Sequence, residues 1–120
     1  FSVALIVASP DLPFDAVWRT NANTLQSDGE SGAMKDHLRS PQGISMMKNR
    51  SLLIADSANH RIMRYSLDAK KLKRVAGKRI DGYARTLLAK PSNAIFHPTT
   101  KSFIICDYHN RRVLQWSPGS

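Results

Sequence analysis

The chain has 120 residues, a formal net charge of +9 at pH 7 and a single cysteine. This length suffices for one small domain with a modest core, and 42% hydrophobic with 22% charged residues excludes a disordered composition. The lone Cys106 excludes an internal disulfide framework and a cysteine-cluster zinc site. The basic balance favours acidic partners such as nucleic acid, anionic lipid headgroups or acidic proteins, without selecting one.

Residues 1–23 form an N-terminal segment without a clear repeat. Residues 1–8 are apolar and are followed by Ser9 and Pro10. We interpret them as a buried strand of an incomplete unit, with residues 16–18 as another strand. The alternative is the end of a processed secretory signal peptide, which leaves the compartment open between secreted and cytoplasmic. Eight residues are too few to cross a bilayer, so no transmembrane segment is predicted.

Residues 24–120 repeat themselves with a period of 50 to 51 residues. Apolar, Gly and Pro positions recur at a spacing of 50, which becomes 51 after one inserted residue near Lys101. The clearest recurrence is the pattern Asp-x-x-Asn-x-Arg, which stands at residues 56–61 and again at 107–112. Periods of this length indicate repeated structural units, so residues 24–120 are predicted to form one segment built from such units.

Each copy is predicted to contain short strands separated by turns. The strands are expected at residues 44–46, 51–55, 61–65 and 72–76, and in the second copy at 94–96, 103–106 and 112–116. Cys106 lies in one of these apolar strands and is predicted to be a buried structural thiol. Short helical turns are expected at residues 34–38 and 83–88. Four strands in roughly 50 residues make one β-propeller blade. The predicted fold class is therefore all-β, a partial β-propeller of about two to two and a half blades of four antiparallel strands.

The Asp-x-x-Asn-x-Arg pattern lies where the chain must reverse between two strands. We expect each aspartate to accept hydrogen bonds from the backbone N–H groups that follow it, and each asparagine to adopt the left-handed conformation. Each arginine is expected to bridge to the aspartate or to a carbonyl of the neighbouring blade. Because the set recurs, we interpret it as structural and not catalytic. Its members are Asp56, Asn59, Arg61, Asp107, Asn110 and Arg112.

These residues carry a resemblance to a known family. The first copy reads Leu38-x-x-Pro41-x-Gly43-Ile44, then Leu53-Ile54-Ala55-Asp56-Ser57-x-Asn59-His60-Arg61-Ile62. This series resembles the NHL repeat, and residues 88–113 are similar except at Asn93-Ala94, where Gly-Ile is usual. The resemblance covers about residues 24–117 and implies a β-propeller, usually of about six blades. Two units are too few to close such a ring. We therefore expect further blades from a longer chain, and the alternative is that several copies associate to close it.

The leading functional hypothesis is a non-catalytic scaffold that binds a protein partner through its loops, with no cofactor. The alternative is RNA binding, because the resemblance includes NHL propellers that bind RNA on a basic face. Six cations within ten residues suit a phosphate backbone, although they equally suit a solvated outer strand. Only Tyr83 lies nearby for base stacking. The cations are Lys70, Lys71, Lys73, Arg74, Lys78 and Arg79.

A third hypothesis is a metal-dependent peptide-amidating lyase, since some NHL-like propellers bind a metal through histidines. The histidines here lack metal-site spacing, and His60 aligns with Arg111 while His109 aligns with Ala58. No metal ligand and no catalytic residue is therefore predicted. Tyr65 and Trp116 occupy one repeat position and are interpreted as packing aromatics. Function is sought where the copies differ, at positions 57/108, 58/109 and 60/111, and in the basic run.

Overall fold

The computed structural model describes residues 21, 22, 24, 25, 37–78 and 80–119. The predictions for residues 1–20, for the helical turn at 34–36 and for Arg79 lie outside the described residues. Among the described residues, no helix has the length and apolar character needed to cross a membrane.

The first sheet is antiparallel, with its strands in the order β1-β2-β3-β4. These strands are β1 (Pro41–Met47), β2 (Ser51–Asp56), β3 (Arg61–Ser66) and β4 (Lys71–Gly77). Strand β2 is buried at all six positions. Its continuous apolar run suits a strand that is covered on both faces of the sheet.

The second sheet is also antiparallel, with the order β5-β6-β7. Its strands are β5 (Asn93–His97), β6 (Ser102–Asp107) and β7 (Arg112–Trp116). All seven predicted strands are present, and their ends differ from the predicted ends by three residues or fewer. The all-β prediction is therefore confirmed.

The helical turn predicted at residues 83–88 is limited to one hydrogen-bonded turn at residues 84–87. The segment contains a single turn, in which the Leu87 N–H donates to the Ala84 carbonyl over 3.0 Å. The carbonyls of Tyr83, Ala84 and Leu87 accept hydrogen bonds from the side chain of Arg112. Because these carbonyls are oriented toward Arg112, they do not build the i to i+4 ladder of a helix.

The two sheets share one strand register. Ile44 pairs with Ile54 in the first sheet, and Ala94 pairs with Ile105 at the equivalent place in the second. The departure from the repeat pattern at Asn93 therefore leaves the pairing unchanged. Gly43 lies in close contact with the second sheet, because a Cβ on Gly43 would overlap the Ser92 carbonyl oxygen and the Asn93 side chain.

The core lies between the two sheets. Leu53 and Ile62 of the first sheet share one buried cluster with Phe103 and Ile105 of the second. The Phe96 and Phe103 rings pack edge to face with centroids 5.6 Å apart. Two antiparallel sheets packed face to face in this manner form neighbouring blades of a partial β-propeller, which confirms the predicted architecture.

The other face of the first sheet holds a second cluster of Leu52, Ile54, Met63, Tyr65 and Leu72. Side chains alternate between the faces of a strand, so each blade has two apolar faces. Tyr65 packs in this cluster and Trp116 packs against the core between the sheets, as predicted. Cys106 is half-buried and not buried as predicted, because it alternates with Ile105 and so lies on the opposite face of β6.

Candidate functional site

The two motif turns have the same backbone conformation. In the first motif turn, β2 leads into a 3₁₀ turn at Ser57–Asn59, and His60 follows in the left-handed region with φ of 54°. In the second motif turn, β6 leads into Tyr108–Asn110, and Arg111 follows with φ of 52°. A single left-handed residue thus reverses the chain in each copy.

Two predictions about the chemistry of these turns are wrong. The left-handed residue follows Asn59 and Asn110, and each asparagine instead donates from Nδ2 to the Oδ2 atom of its aspartate, over 2.9 and 2.8 Å. Neither Asp56 nor Asp107 caps the 3₁₀ turn that follows it. Their Oδ1 atoms accept hydrogen bonds from backbone N–H groups located 17 and 18 residues earlier in the chain.

Each motif turn holds the segment that enters its blade. The Arg39 N–H donates to Asp56 over 2.6 Å, and the Arg39 carbonyl accepts from the Ala58 N–H over 3.1 Å. The Ala89 N–H donates to Asp107 over 2.7 Å, and its carbonyl accepts from the second motif turn over 3.0 Å. We call these networks, with their aspartate, asparagine and arginine, the first and second clasps.

The first clasp is almost fully buried. Arg61 donates from Nε to Oδ2 of Asp56 over 2.7 Å and from Nη2 to the His37 carbonyl over 2.6 Å. Only 3% of the Arg61 side chain and none of the Asp56 side chain is exposed. The aspartate therefore has three donors in place of water, which buried carboxylates require.

The second clasp holds a longer loop. Arg112 donates from Nε to Asp107 over 2.8 Å and reaches the carbonyls of Tyr83 and Leu87 over 2.8 and 3.1 Å. Its guanidinium carbon lies 4.4 Å from the centroid of the Tyr83 ring, which permits a cation–π interaction. Asn110 adds a hydrogen bond to the Gly82 carbonyl over 2.7 Å. The loop that connects the sheets is thus fixed to the second motif turn.

Large exposed side chains project from this fixed loop and from the second motif turn. Tyr83 is 68% exposed and Tyr108 is 64% exposed. The Tyr108 and His109 rings lie 5.6 Å apart. We call this surface the turn end; its exposed members are Tyr83, Tyr108, His109 and Arg111. Tyr83 entered the sequence analysis only as a possible stacking residue beside the basic run, and the structure places it against Arg112 of the second motif turn.

The basic run lies along β4 and the ends of that strand. Lys70, Lys71, Lys73, Arg74 and Lys78 are all exposed. Lys73 pairs with Arg64 in the sheet, whereas Arg74 pairs with Met63 and so lies on the opposite face. The run is therefore divided between two faces of the strand.

The histidines are held in separate local contacts. His60 accepts from the Lys90 N–H through Nδ1 over 3.1 Å, and His97 accepts from the Thr100 N–H over 3.3 Å. Within residues 37–78 and 80–119, and the few others described, no group of three His, Cys, Asp or Glu side chains has the geometry to hold a metal ion.

Comparison with known families identifies the first copy. Residues 38–65 match the model of the NHL repeat. The match contains β1, β2, the first motif turn and most of β3. A search of curated proteins found no match. The predicted NHL repeat is therefore confirmed at residues 38–65, and the second copy repeats its motif and its strand register outside the matched range.

Proposed function

We propose that this chain, which carries an NHL repeat at residues 38–65, is a non-catalytic scaffold that binds a protein partner at the turn end. The observation that carries the proposal is the exposure of Tyr83 and Tyr108 on loops that the second clasp fixes. Tyrosine is enriched at the centres of protein interfaces. A loop that is already ordered before binding also loses less conformational entropy when the partner binds.

The non-catalytic part of the proposal is supported by the clasps. Asp56 and Asp107 are fully buried and bonded to the asparagine and arginine of their own motif. A general acid or base must reach the substrate proton directly or through one water. Carboxylates held in this way stabilise the turns and are not available to a substrate.

Differences between the copies support the second motif turn as the contact region. Its exposed Tyr108 and His109 stand where the first motif turn has the buried Ser57 and the half-buried Ala58. Both turns share the clasp residues, so the fold does not require a tyrosine at position 108. Exposed side chains that only the second copy carries are available for specific recognition by a partner.

The test compares proteins captured from a cell extract by the wild-type chain and by the Tyr83→Ala/Tyr108→Ala variant, with quantitative mass spectrometry. Met46→Ala is the control, since Met46 is 68% exposed on β1, away from the motif turns. We expect at least one protein that wild type and the control retain and the tyrosine variant loses. Its affinity is then measured by titration calorimetry. If no captured protein depends on the two tyrosines, the proposal is rejected.

RNA binding at the basic run is the second candidate, supported by five exposed cations on and beside β4 and by the net charge of +9. The test is a gel shift of labelled random-sequence single-stranded RNA with Lys70/Lys71/Lys73→Glu. Lys48/Lys90/Lys101→Glu is a control with the same change in charge at exposed positions. Salt-sensitive binding that only the first variant loses supports this candidate. No shift at low salt excludes it.

A further inference from the structure

A cavity opens between the two sheets at the end of the strands opposite the motif turns. Its volume is about 420 Å³, and its lining residues are Met46, Met47, Lys48, Asn49, Phe96 and Pro98. They come from the ends of β1 and β5 and from the turns that follow these strands. Its walls are therefore supplied by two neighbouring sheets of the described chain. We call this space the hairpin cavity.

We propose that the hairpin cavity binds a small amphipathic carboxylate, with the apolar body of the ligand between the sheets and its carboxylate at Lys48. This inference is independent of partner binding at the turn end, which lies at the other end of the strands. Small-molecule sites have volumes of about 300–1,000 Å³ and mostly apolar walls, with a few polar groups that orient the ligand. The hairpin cavity fits this description, since its lining is apolar except at Lys48 and Asn49.

The apolar wall of the cavity is continuous with the core between the sheets. Met47 and Phe96 are half-buried and pack against that core. The Phe96 ring packs edge to face on Phe103, so this wall is ordered before a ligand binds. Met46 is 68% exposed, and the unbranched methionine side chain adapts to apolar ligands of different shape. A ligand that covers these side chains removes their apolar surface from water.

Charge selects a carboxylate as the polar group of the ligand. Among the described lining residues, Lys48 is the only charged one, and its side chain is exposed. The two turns that border the cavity, residues 48–50 and 98–101, contain no aspartate or glutamate and add Arg50 and Lys101. Arg50 is paired with Asp68 over 2.7 Å. The positive potential at the cavity mouth therefore comes chiefly from Lys48 and Lys101.

The backbone at the two turn tips supports a role for charge outside the fold. Arg50 and Lys101 have φ of 58° and 51°, and they occupy one repeat position, 51 residues apart. Glycine adopts this left-handed conformation at lower cost than any residue with a Cβ. Both copies nevertheless carry a cation there. Strain of this kind is often retained where the side chain serves binding.

The test is NMR of the full chain with carbon-13 in its methionine methyl groups, titrated with decanoate below the micelle concentration. The Met46 and Met47 signals should shift and saturate. The Met63 signal should not move, because Met63 is buried in the cluster on the other face of the first sheet. Met46→Leu, Met47→Leu and Met63→Leu assign the three signals. Decanol, which has the same chain without the charge, should bind about threefold or more weakly.

Matched variants separate the charge from the apolar wall. Lys48→Gln should weaken decanoate binding about threefold or more and leave decanol binding unchanged. Lys90→Gln, at an exposed cation outside the lining residues, is the control for charge. Met46→Ala should weaken the binding of both ligands. Ile80→Ala, at an isoleucine that is 64% exposed outside the lining, should weaken neither.

Several outcomes overturn the proposal. They are the absence of a saturable shift, equal shifts of all three methionine signals, equal affinity for decanoate and decanol, and equal losses in Lys48→Gln and Lys90→Gln. Vesicles of phosphatidylcholine and phosphatidylserine test a membrane as the occupant. Shifts of Met46 and Met47 with these vesicles but not with free decanoate also overturn it.

The hairpin cavity and the turn end are tested separately. The tyrosine variant of the turn end should bind decanoate like wild type, whereas Met46→Ala should bind it more weakly and keep any captured protein. Tyrosine-dependent capture without decanoate binding rejects only the hairpin cavity. Decanoate binding without tyrosine-dependent capture rejects only the turn end as a contact surface.

Discussion

Arg61 and Asp56 form a buried ion pair, with 2.7 Å between Nε and Oδ2 and with 3% and 0% of the two side chains exposed. The equivalent pair of Arg112 and Asp107 has a distance of 2.8 Å, and its arginine is 18% exposed. A buried ion pair adds little stability compared with apolar residues in the same place. Removing one partner, however, leaves the other charge buried without an opposite charge beside it. Replacing only Asp56 or only Arg61 should therefore destabilise the protein strongly, and replacing both should cost less than the sum of the two single losses.

Asp56→Ala and Arg61→Ala should each lower the free energy of unfolding by about 3–5 kcal/mol. The double variant should lose less than the sum, because neither charge then remains buried alone. Urea unfolding of the four proteins measures this coupling. Arg50→Ala serves as the control, since the Arg50–Asp68 pair is 68% and 66% exposed and should contribute about 1 kcal/mol or less. Additive losses in the clasp would contradict the prediction.

Gly43→Ala should destabilise the packing of the two sheets by about 1–3 kcal/mol. The new Cβ would overlap the Ser92 carbonyl oxygen, so the sheets must move apart. Asn93 is the equivalent residue of the second sheet and is exposed. Its side chain accepts a hydrogen bond from the Ala94 N–H over 2.9 Å and packs beside Gly43 without overlap, so Asn93→Ala should lower stability by about 1 kcal/mol or less. Thermal unfolding of both variants tests the difference. Equal losses would show that sheet separation is not the cause.

Lys101→Gly should stabilise the chain by roughly 0.5–1 kcal/mol. Lys101 lies in the β5–β6 turn with φ of 51°, a conformation that costs free energy for any residue with a Cβ. Glycine removes this cost, although it increases the entropy of the unfolded chain. Lys101→Val should destabilise, because a branched Cβ is the least tolerated there. Chemical denaturation should place wild type between the two variants.

Asn110→Ala should loosen the connecting loop while the sheets remain folded. The substitution removes the hydrogen bonds to Asp107 and to the Gly82 carbonyl. Local opening should then accelerate tryptic cleavage after Arg85, which is exposed in this loop. Asn49→Ala, at an exposed asparagine in the β1–β2 turn, is the control. An unchanged cleavage rate would mean that Arg112 and the Ala89 contacts of the second clasp hold the loop without Asn110.

The strands could be predicted because their signal is local. Apolar residues of β2 and β6, bounded by polar turns, are visible in a few neighbouring positions, and the repeat doubles the evidence. The turn conformations were harder to predict, because asparagine is the usual left-handed residue. Here the asparagine side chain is bonded to its aspartate, and His60 or Arg111 takes the left-handed position.

The sequence alone determined the repeat period, the order of the strands and the six residues of the clasps. Only the tertiary structure decided what those residues hold, since Asp56 and Asp107 bind backbone groups 17 and 18 residues away. It also decided why position 43 is glycine, through the Ser92 carbonyl of the other sheet. Strand periodicity arises from short-range backbone geometry, whereas these contacts depend on how separate segments pack, which no local pattern specifies.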